Sequence, residues 1–148
     1  MHKLFRAALP AVLLMAGCAH ADMPGRHPYY LHALSDLRDA RAHLERLGND
    51  RVDHAEEHAI HEIDAAINEI KHAAIDDGKD LYDHMPVDQH LSRTDRFHKA
   101  EELLDKAHQD VAQEEDSPEL RGLQKRALIH IDEAHHAVGH VIETVLSQ

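Results

Sequence analysis

From Tyr30 onward the apolar side chains are spaced for helices, and that spacing decides the fold. Leu31, Leu34, Leu37, Leu44 and Leu47, with Arg41 in the same register, follow a 3.6-residue period that Gly48-Asn49 ends. Asp53, with Glu56 three residues on, is a start resembling a capping box. Ile60, Ile63, Ile67, Ile70 and Ala74 form the next stripe, closed by Asp76-Asp77-Gly78. A third helix is expected from about Thr94, with Phe97, Ala100, Leu104, Ala107 and Val111 facing inward. Ser117-Pro118-Glu119 supplies a cap and a proline suited to the first helical position. After it come Leu120, Leu123, Ala127, Ile131, Ala134, Val138 and Val145. Tryptophan is absent and aromatic residues make up 3% of the chain, which argues against a β-sandwich or barrel.

The second and fourth helices look related. Ala59-Ile60-His61-Glu62-Ile63-Asp64-Ala65-Ala66 aligns with Ala127-Leu128-Ile129-His130-Ile131-Asp132-Glu133-Ala134 at an offset of 68 residues. An offset of 67 sets Leu37, Ala40 and Leu44 on Leu104, Ala107 and Val111. The expected fold is therefore all-α, a four-helix bundle built from two similar helical hairpins over residues 30–148. A long acidic loop separates the second and third helices. It runs from Asp76 to Asp95, carries Asp77, Asp80, Asp83, His84, Asp88 and His90, and reads either as a crossover along the bundle or as a flexible segment.

The first residues read as an address. Lys3 and Arg6 precede an apolar run from Ala7 to Gly17 that is too short to span a bilayer. Met15-Ala16-Gly17-Cys18 resembles a lipoprotein signal, giving a signal peptide over 1–17 and Cys18 as the lipidated first residue. Ala19-His20-Ala21 offers an ordinary cleavage site, with the signal then 1–21. Residues 18–29 follow as a flexible tether. The expectation is an exported protein, in the periplasm or anchored to the outer membrane through lipid alone. With one cysteine in 148 residues no intrachain disulfide is available.

Sixteen Lys and Arg against 28 Asp and Glu give a formal charge of −12, which excludes nucleic acid as a natural partner. Seventeen histidines direct attention to imidazole chemistry instead. On the second helix His54, His58, His61 and His72 lie nearly opposite the Ile stripe, and steps of four and three residues make the first three surface neighbours. Two imidazoles one turn apart can clamp a divalent ion, and Glu57, one turn from His61, is placed to add an oxygen. His136 and His140 repeat the four-residue step on the fourth helix. His98, Glu102 and Asp105 form a similar set on the third, and His32 with Asp36 on the first. His108 and His135 lie at stripe edges, where donation to a neighbouring carboxylate or carbonyl is the simpler role and a buried site pairing the two is the alternative. The expected ions are Cu, Ni or Zn, all suited to imidazole.

Sharper motifs fit poorly. His54-Ala55-Glu56-Glu57-His58 matches a zinc-peptidase pattern, but the chain is short and shows no sheet or cleft signal. Glu69-x-x-His72, Asp105-x-x-His108 and Asp132-x-x-His135 have the spacing of di-iron bundles, yet Glu69 and Asp132 fall on the side away from the core. Asp76-Asp77-Gly78-Lys79-Asp80 is too compressed for an EF-hand loop. No haem-attachment motif or recognisable nucleophile set is present, so no enzyme is expected.

Residues 53–75 and 127–143, with His at spacings of three and four among Ala, Glu and Ile, resemble the periplasmic small metal-binding protein family. That resemblance implies a His-rich four-helix bundle that takes up copper and other divalent ions, with His54, His58, His61, His136 and His140 as ligands. The run His27-Pro28-Tyr29-Tyr30-Leu31-His32-Ala33-Leu34-Ser35-Asp36-Leu37-Arg38, with Ala74-Ile75-Asp76-Asp77-Gly78-Lys79-Asp80, also resembles an uncharacterised bacterial exported helical family, which implies no activity. The expected function is binding or buffering of divalent transition metals, with metal ions the only partner the sequence names. The alternative is an envelope interaction bundle whose histidines respond to pH without a specific metal.

Overall fold

The structure is a computed structural model that describes residues 27–45, 54–76 (side chains to 72), 90–114 and 122–147. Both signal-peptide readings, Cys18, the tether as far as residue 26, Gly48-Asn49, Asp53, residues 77–89 of the acidic loop and Ser117-Pro118-Glu119 lie outside those residues. Among the described residues there are four helices and no strand: α1 (Pro28–Leu44), α2 (His54–Asp76), α3 (Arg93–Gln113) and α4 (Leu123–Leu146). None is long and apolar enough to cross a membrane.

Each helix buries a line in which alanine alternates with a large apolar residue. In α1 the line is Tyr30, Ala33, Leu37, Ala40 and Leu44; in α3 it is Phe97, Ala100, Leu104, Ala107 and Val111. In α2 it is Ala59, Ile63, Ala66 and Ile70, and in α4 Ala127, Ile131, Ala134 and Val138. Small residues opposite large ones let the helices interdigitate without voids. The α2 line runs slightly off the expected Ile stripe: Ile60 and Ile67 are only partly buried, and Ala59 and Ala66 take the deepest places. Arg41, placed in the α1 stripe by its spacing, turns out of the core to grip Asp64 of α2, with Nε to Oδ1 at 2.6 Å and Nη2 to Oδ2 at 3.1 Å.

α1 packs on α2 and α3, and α4 packs on the same two helices, leaving α1–α4 and α2–α3 as the diagonals. The directions follow from cross-helix pairs. Arg96 at the start of α3 donates to the His43 carbonyl near the end of α1 at 2.8 Å, and Glu114, just past α3, accepts from the Tyr29 amide at 3.0 Å. α1 and α3 are therefore antiparallel. Arg93 Nη2 lies 3.5 Å from Glu56 Oε2, which brings the starts of α2 and α3 to one end. α2 and α3 thus run parallel, and Asp76 and Arg93 sit at opposite ends of the bundle, about 30 Å apart by helical rise. The ends are closed by aromatics: the His27 ring lies 5.7 Å from Tyr30, while the guanidinium carbons of Arg93 and Arg96 lie 5.4 and 5.9 Å from the Phe97 ring.

Two boundaries differ from the sequence reading. The tether expected over 18–29 gives way to helix by Pro28, which takes the first-turn position, and His27 before it is buried against Glu114. α4 is described from Leu123, with Gly122 at its N-cap at φ 83°, and the start expected at Ser117-Pro118-Glu119 lies outside the described residues. α3 is capped by Ser92, whose Oγ accepts from the Asp95 amide at 3.2 Å, one residue ahead of the expected start near Thr94.

The two helical-end and mid-helix glycines are expected to respond oppositely to substitution. Gly122→Ala forces a left-handed backbone on a β-carbon and is expected to cost about 1–2 kcal/mol. Gly139→Ala, whose new Cβ would meet only Glu101 Oε1 at 3.9 Å, is expected to add about 0.5–1 kcal/mol. Urea denaturation of the two variants checks both signs.

Candidate functional site

The imidazoles sort by which ring nitrogen meets a neighbour. On α2, His54, His58, His61 and His72 are exposed on one outer face, as their spacing requires. They do not close around a common point. His54 Nδ1 lies 3.5 Å from Glu57 Oε2, so Glu57 backs His54 instead of reaching His61. His58 and His61 turn toward Glu62, with Nδ1 to Oε1 distances of 3.9 and 3.2 Å.

Glu62 stands at the seam where α2 meets α4, its side chain 13% exposed. Its second oxygen takes His130 Nδ1 from α4 at 2.7 Å. One carboxylate thereby gathers three imidazoles from two helices. The His130 hydrogen bond, more than any other contact, holds Glu62 below the usual carboxylate range; burial opposes this, and His61 and the His58 charge assist. An Nδ1–H directed at a carboxylate leaves the Nε2 lone pair pointing away from it, the state in which histidine serves as a metal ligand. The tautomer is assigned here from the hydrogen-bond geometry.

His140 reaches the same state through a hydroxyl. Thr144 donates its only proton to the His140 carbonyl at 2.9 Å, so its oxygen accepts from His140 Nδ1 at 3.2 Å. His136 is exposed but belongs to a different place, its ring 6.5 Å from that of His135 beside the seam between α3 and α4.

That second seam holds a shallow groove of about 250 Å³ floored by Leu104 and Ile131. Because α3 and α4 are antiparallel, Asp105-x-x-His108 and Asp132-x-x-His135 face each other head to tail. His108 Nε2 lies 3.3 Å from Asp132 Oδ1, and His135 Nε2 lies 3.2 Å from Asp105 Oδ1 and 4.0 Å from Glu101 Oε1. Both aspartates are exposed, as expected of Asp132, and both histidines are half-buried.

The other expected sets are dispersed. Glu102, on the outer face of α3, lies between Lys106 and Lys99 at 2.7 and 2.8 Å, whose hydrogen bonds pull its carboxyl down to about 2. His98 turns instead to Glu101, at 3.6 Å. Asp36 is raised by burial first and then by the Asp110 carboxylate across the α1–α3 seam, with the His32 charge acting against the shift.

Among the described residues, no group of three or more His, Cys, Asp or Glu side chains converges to hold a metal ion as the side chains stand. Sequence reasoning missed Glu62 and His130. Their signal was present, since they occupy matching positions of the two alignable helices, 68 residues apart. No family model matches the chain, and neither the curated proteins nor the solved structures contain a significant match.

Glu62 sets a pH dependence. Its folded-state pKa lies below its ordinary value of 4.5, so the stability it contributes is present above pH 4.5 and disappears as pH falls through the lower, folded-state value. The difference in urea midpoint between wild type and Glu62→Gln is expected to shrink steadily as pH falls below about 4.5. A difference that grows as pH falls through that range would contradict the assigned shift.

Proposed function

We propose that this chain is an exported, non-enzymatic bundle that binds and buffers divalent transition metals, Cu, Ni or Zn, through imidazoles along α2 and α4. The observation that carries the reading is the grip of Glu62 on the Nδ1 side of His61 and His130, with His58 Nδ1 3.9 Å from the same carboxylate. A charged carboxylate behind a histidine raises its basicity and fixes its ring, which is how proteins prepare this ligand. His54 backed by Glu57, and His140 backed by Thr144, extend the same design, with Glu57 in a supporting place rather than as a ligand. The acidic surface would raise the local cation concentration. The cationic and apolar start of the chain, ending in Cys18, supports export with a lipid anchor as the only membrane attachment.

The finer architecture belongs to the same reading: the bundle is a duplicated helical hairpin. The buried lines support it, since Tyr30-Ala33-Leu37-Ala40-Leu44 matches Phe97-Ala100-Leu104-Ala107-Val111 position for position. The α2 and α4 lines match equally well. Cross-helix pairs repeat too, Arg41–Asp64 in one half and His108–Asp132 in the other.

A second reading, the pH-responsive envelope bundle, is favoured by one observation. Histidine–carboxylate pairs bridge three of the four packed seams: His27–Glu114, Glu62–His130 and the pairs between α3 and α4.

Calorimetric titration with Cu(II), Ni(II) and Zn(II) at pH 7.5 separates the two. His58→Gln/His61→Gln/His130→Gln is expected to abolish the tightest Cu(II) step, and Glu62→Gln to weaken it about 10- to 100-fold. Free imidazole protonates near about pH 6.5, so uptake should fall away by about pH 5.5. Unchanged Cu(II) heat in the triple variant would remove this site. Light scattering from pH 5 to 8 in chelator-treated buffer tests the rival, which requires a metal-independent change of association.

A further inference from the structure

We infer that the groove between α3 and α4 is a separate divalent-cation site, in which Asp105, His108, Asp132 and His135 take one first-row ion such as Zn(II) through two carboxylates and two imidazoles. The placement is a backbone property. Each helix presents an aspartate and a histidine three residues apart on one face, and antiparallel packing sets each aspartate opposite the other helix's histidine. No residue is shared with the Glu62 seam, so this inference does not rest on that site.

The distances suit a coordination edge. Two ligands bonded to one Zn(II) at about 2.1 Å stand about 3.0 Å apart at a right angle and about 3.4 Å apart in a tetrahedron. The observed N···O separations are 3.3 Å for His108–Asp132 and 3.2 Å for His135–Asp105. An ion held by nitrogen and oxygen therefore needs little change of separation within a pair. The pairs lie one helical turn from each other, roughly 5–6 Å between β-carbons, and closing both onto one ion takes rotation about side-chain bonds.

Ring orientation distinguishes this place from the Glu62 seam. There the carboxylate meets Nδ1 and stands behind the imidazole; here it meets Nε2, on the ligand side, where oxygen and nitrogen can share an ion. Two aspartates neutralise a divalent charge, and Glu101 adds a further acid 4.0 Å from His135 Nε2. Leu104 and Ile131 form an apolar floor, while the open side admits the ion. Mixed carboxylate–imidazole donors without sulfur suit Zn(II).

The test is calorimetric titration of the full chain with Zn(II) at pH 7.5, comparing wild type, Asp105→Asn/Asp132→Asn and His58→Gln/His61→Gln/His130→Gln, with circular dichroism confirming helix content. The aspartate variant is expected to lose one Zn(II) equivalent or bind it at least about tenfold more weakly, while the Glu62-seam variant keeps it. X-ray absorption of the Glu62-seam variant loaded with one equivalent should show a mixed oxygen and imidazole shell. A Zn(II) titration identical to wild type in the folded aspartate variant overturns the groove site. So does an all-imidazole shell in the Glu62-seam variant, a reading that decides the matter even if the aspartate variant unfolds. Loss of Zn(II) only in the Glu62-seam variant removes the groove and leaves the seam; loss only in the aspartate variant does the reverse.

Discussion

The alternation of alanine with a single large apolar residue along every buried line governs the arrangement of everything else. Ala59, Ala66, Ala127 and Ala134 are fully buried along with Ile63 and Ile131 on the packed helices α2 and α4, and small residues between large ones let helices approach closely. In that packing Glu62 of one helix meets His130 of the other. The same alternation on α1 and α3 sets Leu37 and Leu104 between buried alanines, and Asp105 faces His135 where α3 meets α4. The polar seams inherit their geometry from an apolar core, and no seam pair could form if one helix slid by a turn.

Much of this architecture was legible in the chain itself. Helical period, the Ala–large pattern and the two offsets near 68 residues specify four amphipathic helices, and the exposed placement of His54, His58 and His61 follows from counting 100° per residue. Partners were not legible. A helical wheel locates Glu62 at a stripe edge but does not say which helix covers that edge, so His130 could not be assigned to it. Glu57 misled for a related reason: its spacing reaches both His54 and His61, and the choice rests on rotamers and on Glu62 competing for His61. Asp105-x-x-His108 and Asp132-x-x-His135 were alike in spacing alone, and only antiparallel packing brings their two faces to a shared groove.

Exposed ion pairs of this kind contribute little to folding individually, about 0–1 kcal/mol each. In the proposed reading, their concentration along the seams prepares the side chains as ligands. A carboxylate selects one tautomer of each histidine it touches, and in doing so decides whether the ring offers its remaining lone pair outward or shares its near side with oxygen. The bundle does both, at different seams, with the same two residue types.

Glu62 and His130 also occupy matching positions of the two alignable helices. Two copies of the first hairpin packed in this way would set carboxylate against carboxylate there, and two copies of the second would set imidazole against imidazole. Only the mixed pairing joins opposite signs. A difference in charge at this matched position therefore makes the α2–α4 seam complementary within the one chain.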